Sequence, residues 1–318
     1  MSFKDIKGQS RAVSFLENSI ANRRISHAYI FYGPKSVGRK LAAVNFAKAL
    51  NCLSLSAVPC DSCASCKKID ASSHPDVSVL KVKADSYSIK IDDIRTLIRD
   101  IALKPYEARK KVYLIDGANS LTEEAANAIL KTLEEPPTDS VLILITERLW
   151  GLLPTIVSRS QVVKFFALAV ETVKDVLVNH YGIDNTRAHV LACLSSGGIE
   201  EALMYQDDKF FEKRRLFIDA IVNKAFFNWD FDRTSREDFK WYLNIMLTWY
   251  FDILRYKVGI FSESETVNID RKDTIKAESK KISFEKLDGA IKQIISTATF
   301  LEQNANPKLA MAVLGAMI

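Results

Sequence analysis

At 318 residues and 48% hydrophobic content, the chain is long enough for two or three domains with substantial cores. No run approaches the ~18–20 apolar residues that cross a membrane, and Met1-Ser2-Phe3-Lys4-Asp5 is no apolar signal segment; a soluble, cytoplasmic protein without a membrane role is expected. The net charge of +5, from 44 Lys and Arg against 39 Asp and Glu, permits nucleic-acid contact without arguing for it.

Apolar runs alternate with helical patterns through the first half of the chain. Strands are expected at 27–32, 76–82, 111–115, 140–146 and 161–166, several apolar on both alternations, as parallel strands buried on both faces are. Helices are expected between them. Over 89–103, Ile91, Ile94, Leu97, Ile98 and Ile101 keep helical spacing, and 122–134 runs from a capping Thr122 to Pro136-Pro137. Such alternation specifies an α/β domain with a parallel sheet over 1–166. Patterns at 170–180, at 185–195 and after Gly197-Gly198 form a small helical module over 167–208. Only helical patterns follow over 209–318, at 239–257, at 284–304 and from Asn306-Pro307-Lys308 onward. The polar stretch 262–281 reads as a loop or poorly packed linker.

Gly33-Pro34-Lys35-Ser36-Val37-Gly38-Arg39-Lys40 follows the first strand and opens a helix. It has the outline of a phosphate-binding P-loop, in which Gly, four residues and Gly precede Lys and Ser/Thr. Arg39 stands at the Lys position and Lys40 at that of the metal-binding hydroxyl. Lys40 has no oxygen for a metal ion, so the loop keeps its shape and loses its chemistry; Arg39 leaves at most weak nucleotide binding.

Beyond the helix, four cysteines crowd together at Cys52, Cys60, Cys63 and Cys66. Four thiolates at short spacing suit a tetrahedral zinc with no open position, hence a structural metal. Unliganded thiols in a polar loop are the plain alternative, and a redox role through one C-x-x-C pair leaves the other cysteines idle.

Lys111-Val112-Tyr113-Leu114-Ile115-Asp116 resembles the Walker B strand, whose Asp supports magnesium; the next residue, normally a water-orienting Glu, is Gly117. Without these catalytic groups, several kcal/mol of barrier lowering are absent, so intrinsic ATP hydrolysis is not expected. Arg159, in Ser158-Arg159-Ser160, is either a surface residue or an arginine finger offered to a neighbour's phosphate.

Further runs carry a resemblance. They are Ser26-His27-Ala28-Tyr29, His74-Pro75-Asp76, Asn127-Ala128-Ile129-Leu130-Lys131-Thr132-Leu133-Glu134-Glu135-Pro136-Pro137, Leu153-Pro154-Thr155-Ile156-Val157-Ser158-Arg159-Ser160 and Asn304-Ala305-Asn306-Pro307-Lys308-Leu309. With the motifs above, the chain resembles the bacterial DNA polymerase III clamp-loader subunits of the AAA+ class. The resemblance implies an AAA+ P-loop domain over 1–166 with a zinc-binding insertion near 52–66, a lid over 167–208 and a collar over 209–318. It implies gamma or tau motor subunits and a delta subunit as partners, with the sliding clamp and primer–template DNA met through the complex. ATP would sit at the neighbouring subunit, and Arg159 would be the finger reaching it. The motor members carry a nucleotide-sensing Arg where this chain has Glu200, and the family's Ser-Arg-Cys ends here in Ser160. A gamma/tau-like ATPase and a zinc-stabilised DNA-binding module are the competing readings.

Overall fold

The structure is a computed structural model describing residues 2–317 except 55, 83–85, 87, 224, 226–235 and 304. Asn304, expected to end a helix, and 226–235 of the expected all-helical region lie outside the described residues. The chain divides into two compact units, 1–172 and 173–318. No helix among the described residues is long and apolar enough to cross a membrane.

The first unit contains α1 (Ser10–Ala21), β1 (Ala28–Tyr32), α2 (Arg39–Asn51), α3 (Ala64–Asp70), β2 (Val77–Lys81), α4 (Ile91–Ile101), β3 (Lys111–Asp116), α5 (Glu123–Glu134), β4 (Ser140–Thr146), α6 (Pro154–Ser158) and β5 (Gln161–Lys164). All five expected strands form, and they pair in parallel in the order β2-β3-β4-β1-β5. Chain direction explains the site. From β1 the chain passes over β4 and β3 to reach β2, whereas from β4 it passes over β1 to β5. The β1/β4 boundary is therefore the switch point of the sheet, and the crevice beyond its strand C-termini is where such sheets bind ligands.

Two-residue alternation splits the core into two layers. Tyr29, Phe31, Val112, Leu114, Val141 and Ile143 pack under Leu16 of α1 and Ala43, Phe46 and Leu50 of α2. Ala28, Ile30, Tyr113, Ile115, Leu142 and Leu144 pack against Ile94 and Leu97 of α4, Ile129 and Leu133 of α5, and Ile156 of α6. The central strand β4 is buried along its whole length, while the edge strands β2 and β5 are largely exposed or only partly covered. This is a three-layer α/β arrangement, with helices covering both faces of a parallel sheet.

The His74-Pro75-Asp76 run has a structural purpose. Asp76 is buried, and its carboxylate accepts the backbone N–H groups of Tyr106, Glu107 and Ala108, each at 2.8 Å. Burial works against that charge, but the three N–H groups prevail and hold the carboxyl below the usual carboxylate range. His74 Nδ1 accepts the Asp76 N–H at 3.1 Å, fixing the turn into β2.

The second unit begins within α7 (Val170–Tyr181) and continues through α8 (Asn185–Leu194), α9 (Ile199–Met204), α10 (Asp208–Val222), α11 (Arg236–Lys257), α12 (Lys272–Lys281), α13 (Phe284–Glu302) and α14 (Pro307–Met317). The expected linker at 262–281 needs correction: a 3-10 turn at Ile269–Arg271 and helix α12 occupy much of it. Its anchor is polar. Asp252 of α11, wholly buried, accepts the Asn268 N–H at 2.8 Å and the Asn268 side-chain amide at 2.7 Å. Buried Arg214 of α10 reaches Asn268 at 2.6 Å and Asp270 at 2.8 Å. Paired polar groups can be buried, and a reading of apolar periodicity cannot detect them.

Asp76→Ala leaves three N–H groups without their charged acceptor, so a loss of about 3 kcal/mol is expected, a fall of roughly 6–12 °C in melting temperature. Because the folded-state pKa is depressed, this contribution is present above the ordinary carboxylate pKa and lost as pH falls through the folded value. The gap between the thermal melts of wild type and Asp76→Ala should therefore be widest at neutral pH and narrow steadily as pH is lowered into the acid range; equal melts at neutral pH would remove Asp76 from this role.

Candidate functional site

The strand registers set one rim of the sheet level. Tyr32 pairs with Thr146, and Asp116 with Ile145. Gly33, Asp116 and Glu147 therefore leave the sheet side by side at the switch point. Gly33 is required there by proximity, since a Cβ would lie 2.3 Å from the Phe165 carbonyl oxygen. The loop then reaches Gly38, which caps α2 and leaves the first N–H groups of that helix facing the crevice without a side-chain partner. The expected residues Gly33, Gly38, Arg39, Lys40 and Asp116 thus converge.

The basic groups of this loop are already engaged by the protein. Lys40 Nζ lies 3.0 Å from Asp116 Oδ2, and Lys35 Nζ lies 3.5 Å from Glu147 Oε1. Arg39 turns inward and donates through Nη1 to the Thr146 carbonyl. An ammonium therefore sits against the carboxylate that in a working site supports a divalent ion. Both groups are partly exposed, at 52% and 29%, so the pair adds only ~0–1 kcal/mol of stability. Its consequence is occupancy: a metal ion at Asp116 would meet the Lys40 ammonium beside it. Gly117 follows with φ +87°, a conformation that a Glu would adopt only under strain, so one substitution does not restore the missing carboxylate.

Cys52, Cys60, Cys63 and Cys66 also converge, with all four sulfurs within 4.8 Å of one another. The Cys60 N–H points at Cys52 Sγ at 3.3 Å, that of Cys63 at Cys60 Sγ at 3.4 Å, and that of Cys66 at Cys63 Sγ at 3.5 Å. N–H groups aimed at sulfur favour thiolates. Hydrogen bonds from Ser62, first its side chain and then its backbone, followed by that of Cys63, bring the Cys60 thiol down to about 5. Burial pushes Cys66 up. The cluster can hold a metal ion, and an all-sulfur tetrahedral cage suits zinc.

Lys48 was not among the expected site residues, yet it joins this insertion to α2. It is fully buried and pairs with Asp61, between Cys60 and Ser62, and with Asp70 of α3 at 2.8 Å. Burial disfavours the ammonium, but the two carboxylates outweigh it and raise its pKa. A lysine within Ala47-Lys48-Ala49, in an apolar helix run, was the available signal.

Arg159 is separate. It ends α6 just before β5, whose first residue Gln161 is level with Tyr29 near the start of β1. The P-loop begins after the opposite end of β1, so at about 3.3 Å per residue the two sites are about 13 Å apart along the strands. Arg159 cannot serve its own crevice. Its side chain is 37% exposed; Nη2 lies 2.9 Å from Glu134 Oε1, and Nη1 donates to the Thr155 carbonyl at 3.1 Å.

The match to known proteins spans both units. Residues 8–169 match the family model for the DNA polymerase III delta subunit, and residues 209–314 match that for its C-terminal part. Subunit delta-prime of DNA polymerase III from Bacillus subtilis is 32% identical over 310 residues, covering 94% of this chain and 92% of that protein. The chain belongs to the clamp-loader family of DNA polymerase III subunits. The tau subunit of the same organism is 34% identical over 211 residues, covering 64% of this chain but 37% of tau. Among solved structures, a gamma-subunit-related protein from Thermotoga maritima aligns over 96% of this chain and 97% of its own, at 16% identity and a TM-score of 0.45.

Proposed function

We propose that this chain is a non-hydrolysing clamp-loader subunit that lends Arg159 to the ATP site of a neighbouring gamma or tau motor subunit. It thereby helps to load the sliding clamp on primer–template DNA. The position of Arg159 carries this reading: a half-exposed guanidinium on the rim opposite the chain's own crevice suits a neighbour's phosphate and no phosphate of its own. The crevice supports it from the other side, with Lys40 seated on Asp116 and Gly117 where a water-orienting carboxylate belongs. In this reading ATP is held by the neighbour, 167–208 is a lid, and 209–318 is the collar that joins gamma or tau and delta.

Arg159→Ala should leave the complex of this chain with gamma or tau and delta intact by size-exclusion chromatography. Hydrolysis at the served interface should fall by ~10³ or more, so that DNA- and clamp-stimulated turnover drops to what the other interfaces supply. An assembled complex with unchanged turnover would refute the finger.

We further propose that Cys52, Cys60, Cys63 and Cys66 hold a structural zinc. The metal would supply folding energy to an insertion with little apolar core and would take no part in hydrolysis. Purified protein should carry one zinc per chain by elemental analysis, and a strong chelator should lower its melting temperature. Metal-free protein with an unchanged melt on added zinc would contradict the assignment.

A further inference from the structure

We infer that Glu134 is the positioning residue of Arg159, an assignment resting on the finger reading above. The two residues come from different motifs: Glu134 ends α5, just before Glu135-Pro136-Pro137, and Arg159 ends α6. Their backbones are held by one core, in which Ile129 and Leu133 of α5 and Ile156 of α6 are buried together. Glu134 Oε1 takes Nη2 of Arg159 at 2.9 Å. From α6 itself, the Thr155 carbonyl takes Nη1 at 3.1 Å, with Ser158 Oγ at 3.4 Å. Acceptors on two helices thus grip the Nη atoms, and among the described residues none takes the Nε–H.

Energy separates positioning from stability. The pair is partly exposed, at 37% and 52%, so it contributes only ~0–1 kcal/mol to folding. A long unbranched side chain at a rim has many rotamers, and a finger acts only from the one that meets the phosphate. Fixing that rotamer before assembly removes its ordering cost from the reaction, and displacement by ~1 Å can cost as much as 10²-fold in rate. The pair therefore matters more for turnover than for the fold. Glu134 touches no reacting atom in this account and acts only through Arg159.

The test compares Glu134→Ala, Glu134→Gln, Arg159→Ala and the double substitution in the assembled complex, reading kcat and KM for ATP. Glu134→Ala should lower kcat about tenfold with KM and melting temperature nearly unchanged. Glu134→Gln, whose amide oxygen still accepts from Nη2, should recover most of the rate. In the Arg159→Ala background, Glu134→Ala should have no further effect. If Arg159→Ala slows turnover and Glu134→Ala does not, or speeds it, the positioning role is wrong while the finger stands. If Gln is as slow as Ala, hydrogen-bonded positioning is wrong. If neither Arg159→Ala nor Glu134→Ala matters, the finger reading fails and takes the positioning role with it.

Discussion

A carboxylate at the end of a buried strand calls for a cation, and in this protein the cation is covalently attached. Asp116 closes β3 at the switch point of the sheet, and Lys40 from the first turn of α2 lies 3.0 Å away. In a magnesium-dependent site that carboxylate serves a hydrated divalent ion, which in turn holds the phosphates. A tethered ammonium neutralises the same oxygen but brings no coordination shell for water and phosphate oxygens. Arg39 donating to Thr146 and Lys35 facing Glu147 complete the pattern: the loop's charges are balanced within the protein.

The rest of the first unit is organised around keeping this rim and the opposite one rigid. The three interior strands β3, β4 and β1 are apolar and well covered by the two helical layers, and the insertion after α2 is fastened by charge. Lys48, fully buried between two carboxylates, is expensive to unpair, on the order of 3–5 kcal/mol. Asp76 does the same for the loop before β3 through three N–H groups. Arg159 is left at the opposite rim, half exposed and gripped by Glu134. A loop whose charges are paired internally and a guanidinium at the opposite rim are the two features on which the proposed role at another subunit's nucleotide rests.

Much of this was legible in the sequence. Strands buried on both faces read as unbroken apolar runs, so β1, β3 and β4 could be placed within a residue. Glycine spacing, a strand ending in Asp and clustered cysteines placed the crevice and the four-cysteine cluster because such motifs are local. Long-range polar pairings were illegible. The partners of Lys48, Asp76, Glu134 and Asp252 lie up to 32 residues away and have no period. That is why 262–281 read as a linker and is instead fastened through Asn268. No element was assigned over 10–21 either, where an amphipathic helix carries only Ala12, Leu16 and Ser19 to burial.

The most direct test of a cation-filled crevice is ATP binding by the isolated chain with and without magnesium, measured by calorimetry and by turnover of the same samples. The account predicts binding that is weak or absent, indifferent to magnesium, and without hydrolysis. Tight binding that needs magnesium, or turnover by the chain alone, would show that Lys40 yields Asp116 to a metal ion and would contradict it.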